Sequence, residues 1–221
     1  FRSKKVYPNE KELRAAIAFD CRIKSDEFAK VTADVLTANG FKVYLFRELR
    51  PTPELSFAIR HFKCHTGVMI TASHNPKEYN GYKAYWNDGA QMIPPHDKNV
   101  IEEVKNIKVS DIKFDGDDKK ITYIGEDIDH IYLSEIEKLS VSPGSNKRQS
   151  HLKIVYTPLH GTGVKLVPEI LGRFGFENVF KVYQQDVTDG SFPTVVSPNP
   201  EDADALEMAL DKARKVDAEL V

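Results

Sequence analysis

The sequence contains little cysteine and no long apolar segment, and these two shortages exclude several classes of protein. Two cysteines, Cys21 and Cys64, are too few for the disulfide framework of a small secreted domain, which favours a reducing cytoplasm. No apolar run approaches the ~20 residues that a membrane-spanning helix needs. The formal net charge of −2 lacks the basic excess of proteins that bind nucleic acid or acidic membranes. We therefore expect a cytoplasmic protein with neither nucleic acid nor membrane as a partner.

The composition that remains is typical of a globular protein with a hydrophobic core. Of the 221 residues, 41% are hydrophobic and 29% are charged, which suits one large domain or two modest ones. The chain begins with Phe1 rather than Met, without a signal peptide, and ends at Val221 in an apolar stretch. We expect it to be a piece of a longer polypeptide.

Strand and helix patterns alternate along the first half of the chain. Apolar runs predict strands over three segments, 14–20, 41–46 and 67–70. The helix after the first strand is predicted to begin at Ser25, whose hydroxyl would cap it, and to end at Gly40. Phe28 and Val31 are part of its predicted apolar face. This alternation predicts an α/β layered fold, in which ligands bind at the carboxyl ends of the strands.

A polar segment at 140–150, which contains a proline and a glycine, is predicted to link two domains, 1–140 and 151–221. A strand over 152–156 begins the second domain, and a Gly-containing turn and a helix follow it. Helical periodicity predicts further helices over 94–107, 128–139 and 202–216. Both domains are therefore predicted to be α/β.

The most distinctive stretch, Thr71-Ala72-Ser73-His74-Asn75-Pro76, follows the third predicted strand. Because Pro76 has no N–H to donate to a strand ladder, the strand ends there and Ser73 is predicted to lie on a turn. Residues 82–86 are aromatic-rich and strand-like, which would bring Lys83 back beside that turn. A hydroxyl, an imidazole and an amine are then predicted to be close together.

Residue types alone favour an ordinary turn at this position. Serine, asparagine and proline are common turn residues, and their side chains can satisfy local backbone groups. The Gly-x-Ser-x-Gly elbow of serine hydrolases is absent, because Ala72 and Asn75 flank the Ser-His pair. A metal site at His61, Cys64 and His65 matches no zinc spacing, and the end of a helix explains these residues better.

The six residues 71–76, followed by Asn80-Gly81 and Lys83, closely resemble the phosphoserine loop of the α-D-phosphohexomutases, the phosphoglucomutase/phosphomannomutase family. The resemblance implies that Ser73 carries a phosphate, which it transfers to a sugar and receives back. It also implies that Lys83 acts as a general acid and base and that His74 belongs to the catalytic group.

The resemblance extends to residues that would support this loop. It implies that Asn75 and Asn80 hold the loop and its ligands. Arg22, in Asp20-Cys21-Arg22, resembles the arginine of an Asp-x-Arg motif that supports the phosphoserine loop in the family. From residue type alone, a surface salt bridge is the alternative role for this arginine.

Two segments of the second predicted domain also resemble family motifs, 157–161 and 189–200. The resemblance implies a structural role, without catalysis, for His160. It spans nearly the whole chain but only the first two of the family's four domains. The family's magnesium-binding Asp-x-Asp-x-Asp-Arg loop is absent from this sequence, so Mg²⁺ would contact this chain through a phosphate on Ser73.

The function implied by the resemblance is that of a phosphosugar mutase. It would interconvert hexose 1-phosphate and hexose 6-phosphate through a sugar bisphosphate. Glucose is the favoured sugar, and phosphomannomutase or phosphopentomutase activity is the alternative. The implied partners are the phosphosugar and the remaining domains of the same polypeptide, without which these 221 residues are expected to be inactive. A hypothesis of a different class is a non-catalytic sugar-phosphate-binding or scaffold module.

Overall fold

The computed structural model describes residues 12–221, and within them the chain divides into two compact units. The first unit comprises the residues up to Asp20 together with Lys24–Thr71 and Gly81–Gly125. The second comprises Cys21–Ile23, Ala72–Asn80 and Glu126–Val221. Two short segments that interrupt the first unit in sequence, Cys21–Ile23 and Ala72–Asn80, are therefore part of the second.

The first unit is built on one sheet, which has five strands within the described residues. The strands are β1 (Leu13–Phe19), β2 (Phe41–Phe46), β3 (Thr66–Ile70), β4 (Tyr82–Trp86) and β5 (Ile121–Ile124). Their order across the sheet is β4-β3-β1-β2-β5. All neighbouring pairs are parallel except β3 and β4, which are antiparallel. The α/β fold class predicted from the sequence is confirmed.

Three helices of the first unit are α1 (Ser25–Ala38), α2 (Thr52–His61) and α3 (His96–Asn106). Helix α1 packs on β1 and β2, and α2 packs on β1 and β3. The core beneath α1 contains Ile17, Val43 and Val68 from the sheet, and Ala29 and Ala33 from the helix. Such parallel strands, covered by helices, bury apolar side chains along their length, which explains the continuous apolar runs in the sequence.

Helix α1 corrects two details of the sequence prediction. Ser25 does not cap the helix, because it is the first helical residue and its buried hydroxyl donates a hydrogen bond of 2.7 Å to the Asp20 carboxylate. The preceding Lys24 has a left-handed backbone with φ of 66°. Phe28 and Val31 are 44% and 47% exposed, and the alanines of the neighbouring face meet the sheet instead.

The second unit contains a smaller parallel pair, β6 (Lys153–Tyr156) and β7 (Asn178–Lys181). Its helices include α4 (Glu126–Lys138), α5 (Pro143–Arg148), α6 (Gly163–Arg173) and α7 (Ala203–Val216). Leu220 forms an isolated parallel bridge with Ile154 of β6. Val155, Val182 and Ala209 form a buried core. The predicted linker at 140–150 contains α5, and the domain limits 1–140 and 151–221 stay a prediction.

None of the helices between residues 12 and 221 is both long and apolar enough to cross a membrane.

Candidate functional site

The segment between β3 and β4, residues 72–80, forms the serine loop of the second unit. Two turns shape it, in which the Asn75 N–H donates to the Ala72 carbonyl at 3.1 Å and the Tyr79 N–H donates to the Pro76 carbonyl at 3.0 Å. Ser73 is exposed, and its φ of 55° lies in the left-handed region. For a residue with a Cβ this conformation costs about 1–2 kcal/mol, so the surrounding structure must hold it.

The guanidinium of Arg22 lies inside the serine loop and binds its backbone. Nη1 donates to the carbonyls of Pro76 at 2.9 Å and Tyr79 at 2.8 Å. Nη2 donates to the carbonyls of Ser73 at 2.9 Å and Asn75 at 2.6 Å. Arg22 is only 3% exposed, so these charge-assisted hydrogen bonds are formed away from bulk water. One planar side chain thus fixes four carbonyls of a short loop.

The ring of Phe192 covers this guanidinium. Arg22 Cζ lies 5.5 Å from the ring centroid, within the range of a cation–π interaction. Phe192 is 4% exposed and has a left-handed φ of 48°. Its N–H donates to the Asp189 carbonyl at 3.1 Å, which closes a turn beneath the ring.

Asp189 stabilises the start of this turn through its carboxylate. The hydroxyl and the N–H of Ser191 both donate to its Oδ1, at 2.7 and 2.8 Å. These hydrogen bonds lower the pKa of Asp189, the side-chain bond contributing most. The carboxylate therefore remains an ionised acceptor at neutral pH.

Gly190 brings the same turn against the backbone that carries Arg22. A Cβ built on Gly190 would lie 2.5 Å from the carbonyl oxygen of Cys21 and 2.7 Å from the nitrogen of Ile23. Both atoms belong to the backbone and cannot rotate away. A side chain at this position would therefore push the turn off the Arg22 segment.

We expect Gly190→Ala to destabilise the protein by about 1–3 kcal/mol, because the added methyl group overpacks a backbone contact. Gly172→Ala is the matched control, since no atom lies within 4 Å of the Cβ that would be added near the end of α6. Alanine should stabilise that helix by up to about 1 kcal/mol. Urea denaturation of both variants measures the difference. Equal stabilities would show that the turn moves away without cost.

The remaining predicted residues of the serine loop lie in the same unit as Arg22. Asn80 Nδ2 donates to the Ile23 carbonyl at 3.3 Å. The His74 carbonyl accepts a long hydrogen bond of 3.5 Å from Ser197 Oγ. The structure therefore brings Ser73, Asn75 and Asn80 into hydrogen-bond contact with the 21–23 segment, whereas His74 contacts Ser197.

Lys83 belongs to the first unit. It is the second residue of β4, where it pairs with Met69 of β3, and it is half-buried. Its predicted catalytic role depends on the sequence motif.

His160 is 1% exposed and lies in a hydrogen-bonded network. Its Nδ1 is 2.9 Å from the Val187 carbonyl, and its Nε2 is 2.8 Å from Thr194 Oγ1. Gln185, which is fully buried, donates to the same threonine oxygen at 3.1 Å. Sequence reasoning did not single out Gln185, and it included Thr194 only as part of the segment 189–200. Their polar side chains gave no signal, because nothing in their spacing marks them as buried.

Residues 12–221 contain no group of three or more His, Cys, Asp or Glu side chains that could hold a metal ion. The described residues therefore do not by themselves fit a Mg²⁺ site. The cysteine and histidines at the end of α2 give no support to one either. Cys64 is 2% exposed, and burial raises the pKa of its thiol to about 12.

Both parts of the chain match models of one protein family. Residues 3–111 match the phosphoglucomutase/phosphomannomutase alpha/beta/alpha domain I, and residues 130–221 match domain II. A phosphoglucomutase of Staphylococcus haemolyticus is 38% identical in an alignment that covers 97% of this chain and 40% of the relative. A phosphoribomutase of Saccharomyces cerevisiae is 37% identical, over 95% of this chain and 36% of the relative.

The fold agrees with that of solved structures. A phosphoglucomutase/phosphomannomutase family protein of Burkholderia thailandensis superposes with a TM-score of 0.73 over 98% of this chain and 44% of that protein, at 22% identity. The chain thus spans about two fifths of the length of the relatives it matches. Because consecutive domain models of one family match residues 3–111 and 130–221, this chain belongs to the phosphoglucomutase/phosphomannomutase family.

Proposed function

We propose that this chain is the phosphoryl-carrying part of a longer phosphosugar mutase, with Ser73 as the carrier. The observation that carries the proposal is the serine loop itself. An exposed serine is held in a left-handed conformation by four hydrogen bonds from one buried arginine. Backbone strain that is held so firmly is typical of functional sites.

In the proposed reaction the bond between phosphorus and Ser73 Oγ breaks while a bond to a sugar hydroxyl oxygen forms. The proton of the sugar hydroxyl is passed to the serine oxygen, and the bisphosphate then returns its other phosphate to Ser73. Lys83 is proposed as the general acid and base that moves this proton, on the resemblance of its motif. His74 is proposed to belong to the catalytic group on the same basis, where it would help to hold the loop and its ligands.

Arg22 has a different proposed role. Its two terminal nitrogens donate to loop carbonyls, so its charge acts on the backbone of the loop. Arg22 is thus a positioning residue, with Asn75 and Asn80 as further loop support. Holding the carrier oxygen in place lowers the entropic part of the barrier to transfer.

The substrate proposed first is a glucose phosphate. Relatives named phosphoglucomutase and phosphoribomutase leave hexose and pentose phosphates as candidates, with mannose phosphate as a further alternative. Mg²⁺ is proposed to be bound mainly by residues absent from this sequence and to contact this chain through the phosphate on Ser73. Cys21 and Cys64 form no disulfide, which supports the proposal of a cytoplasmic location.

The experiment is to treat the full-length protein with glucose 1,6-bisphosphate labelled with ³²P and to map the labelled peptide. We expect the label on the peptide that contains Ser73. The label should then be transferred to glucose, mannose or ribose monophosphate, and the relative rates of transfer measure the sugar specificity. Label on another residue would contradict the proposal. Sugar-phosphate binding without any label would favour a non-catalytic binding module, and labelling by a fluorophosphonate alone would favour a serine hydrolase.

A further inference from the structure

We infer that Phe192 is a positioning residue for Ser73, which acts by holding the Arg22 guanidinium under its aromatic ring. The inference rests on the proposed function, and it makes the geometry of the serine loop depend on a segment more than a hundred residues away in sequence. Every contact that carries it lies within the second unit.

The first step concerns the charge of Arg22. Four carbonyl oxygens meet the edge of the guanidinium, and the Phe192 ring lies 5.5 Å from Cζ. Arginine stacks well on aromatic faces because its charge is delocalised over a plane that is weakly hydrated. Hydrogen bonds in the plane of the guanidinium do little to restrain its motion perpendicular to that plane. The ring therefore restrains the guanidinium in this perpendicular direction.

The second step concerns how Phe192 itself is fixed. Its backbone is restrained at both sides, because its N–H donates to Asp189 and its carbonyl accepts from Val195, both at 3.1 Å. Its ring meets the His160 imidazole edge to face, with centroids 6.5 Å apart and planes at 73°. His160 thus supports the ring on the side of the buried network.

The third step is the direction of that network, which begins just after β6. The Thr157 hydroxyl donates to Gln185 Oε1 at 2.6 Å. Gln185 Nε2 donates to the Thr194 oxygen at 3.1 Å. The Val187 carbonyl, 2.9 Å from His160 Nδ1, can only accept, so the imidazole proton lies on Nδ1. In this tautomer Nε2 accepts from the Thr194 hydroxyl at 2.8 Å.

Every member of this hydrogen-bond network has a compatible donor or acceptor. Fully satisfied buried networks are rigid and specify one arrangement. The network therefore fixes the Phe192 ring through His160, and the ring in turn restrains Arg22. The other members of the network are Thr157, Gln185 and Thr194. The segment from 185 to 194 becomes the support of the serine loop.

The test replaces Phe192 in the full-length protein by mono-, di- and trifluorophenylalanine. Fluorine nearly preserves the shape of the ring but withdraws the electron density that attracts a cation. We expect kcat for glucose 1-phosphate to fall stepwise, to roughly one tenth with three fluorines, while KM changes little. A purely structural role for the ring would leave kcat unchanged across the series.

Phe46 provides the matched control for this series, since it is 1% exposed and lies in the sheet of the first unit. Trifluorophenylalanine at this position should leave kcat unchanged. Unchanged kcat at Phe192, in an enzyme that still requires Ser73 for turnover, would overturn the inference and leave the proposed function intact. Loss of the requirement for Ser73 would instead remove the proposed function.

A second measurement does not depend on turnover. Phe192→Leu should accelerate amide hydrogen exchange in residues 72–80 by roughly tenfold, because the turns of the serine loop open when Arg22 loses its restraint. Leu166→Ala controls for general loss of stability, since Leu166 is a buried residue of α6 that is absent from the contacts described above. Equal acceleration by the two substitutions would contradict the inference.

Discussion

Replacing Ser73 with alanine is expected to lower sugar-phosphate turnover of the full-length protein by on the order of 10⁴-fold or more. The proposed reaction stores the phosphoryl group on the Ser73 oxygen between two acceptors, and alanine has no atom that can hold it. The decisive measurement is turnover of glucose 1-phosphate together with phosphopeptide mapping. Both the turnover and the phosphate on the 72–80 peptide should disappear.

The fold of the Ser73→Ala variant should be preserved. Arg22 binds the backbone carbonyl of Ser73, which alanine retains, and the side chain at this position is exposed. Alanine has the same Cβ in the same left-handed backbone, so the strain at φ 55° does not change. Ser73→Gly should be equally inactive but more stable than Ser73→Ala, by up to about 1 kcal/mol, because glycine adopts this conformation freely.

Ser197→Ala is the control for the removal of a nearby hydroxyl. Its Oγ lies 3.5 Å from the His74 carbonyl, and its loss should leave turnover within about threefold of the parent. Substantial turnover by a folded Ser73→Ala protein would refute the carrier mechanism. Loss of activity in both serine variants would instead show that the loop tolerates no change in its surroundings.

The strands could be predicted from the sequence because buried parallel strands have continuous apolar runs. The runs at 14–20, 41–46 and 67–70 correspond to β1, β2 and β3 within one residue at every boundary. Gly40 also ends its helix with φ of 92°, as glycine at that position predicts. These predictions rested on local residue types, and tertiary contacts did not change the elements that those residue types favour.

Helical faces were less predictable, because the burial of a face depends on its partner. The small Ala29 and Ala33 meet the sheet under α1, while the larger Phe28 and Val31 of the predicted face are half-exposed. A close approach of helix to sheet selects small residues, which periodicity of large ones does not reveal. In α3 the apolar side chains of Val100, Ile101 and Val104 are all at least 40% exposed, although the predicted helix forms.

The candidate site was predictable only where a motif marks it. The serine loop and Arg22 were found through their motifs, but no residue type indicates the left-handed backbone of Ser73. Nor could the sequence reveal that Phe192 faces Arg22, because the two approach each other only through the tertiary fold. Contacts of backbone carbonyls, such as the four that bind Arg22, cannot be predicted from residue types, because every residue has a backbone carbonyl.

Arg22→Lys is expected to lower kcat by roughly 100-fold while the protein still folds. Lysine keeps the positive charge but presents three donors from one nitrogen, in place of the planar fork of arginine. It cannot bind the carbonyls of Pro76, Tyr79, Ser73 and Asn75 at the same time, so part of the serine loop loses its restraint. A displacement of the carrier oxygen by about 1 Å is enough for a loss of this size.

Arg50→Lys separates this effect from the general cost of altering a buried arginine. Arg50 is also 3% exposed, but it lies in the first unit, where Nη1 donates to the Leu49 carbonyl at 2.7 Å. Both substitutions should lower the free energy of unfolding by about 1–3 kcal/mol, since each leaves buried acceptors poorly satisfied. Only Arg22→Lys should also lower kcat at a temperature where both variants are folded. Similar kcat values for the two variants would show that Arg22 has only an ordinary structural role. Phosphorylation of Ser73 by glucose 1,6-bisphosphate at the parent rate in the Arg22→Lys variant would lead to the same conclusion.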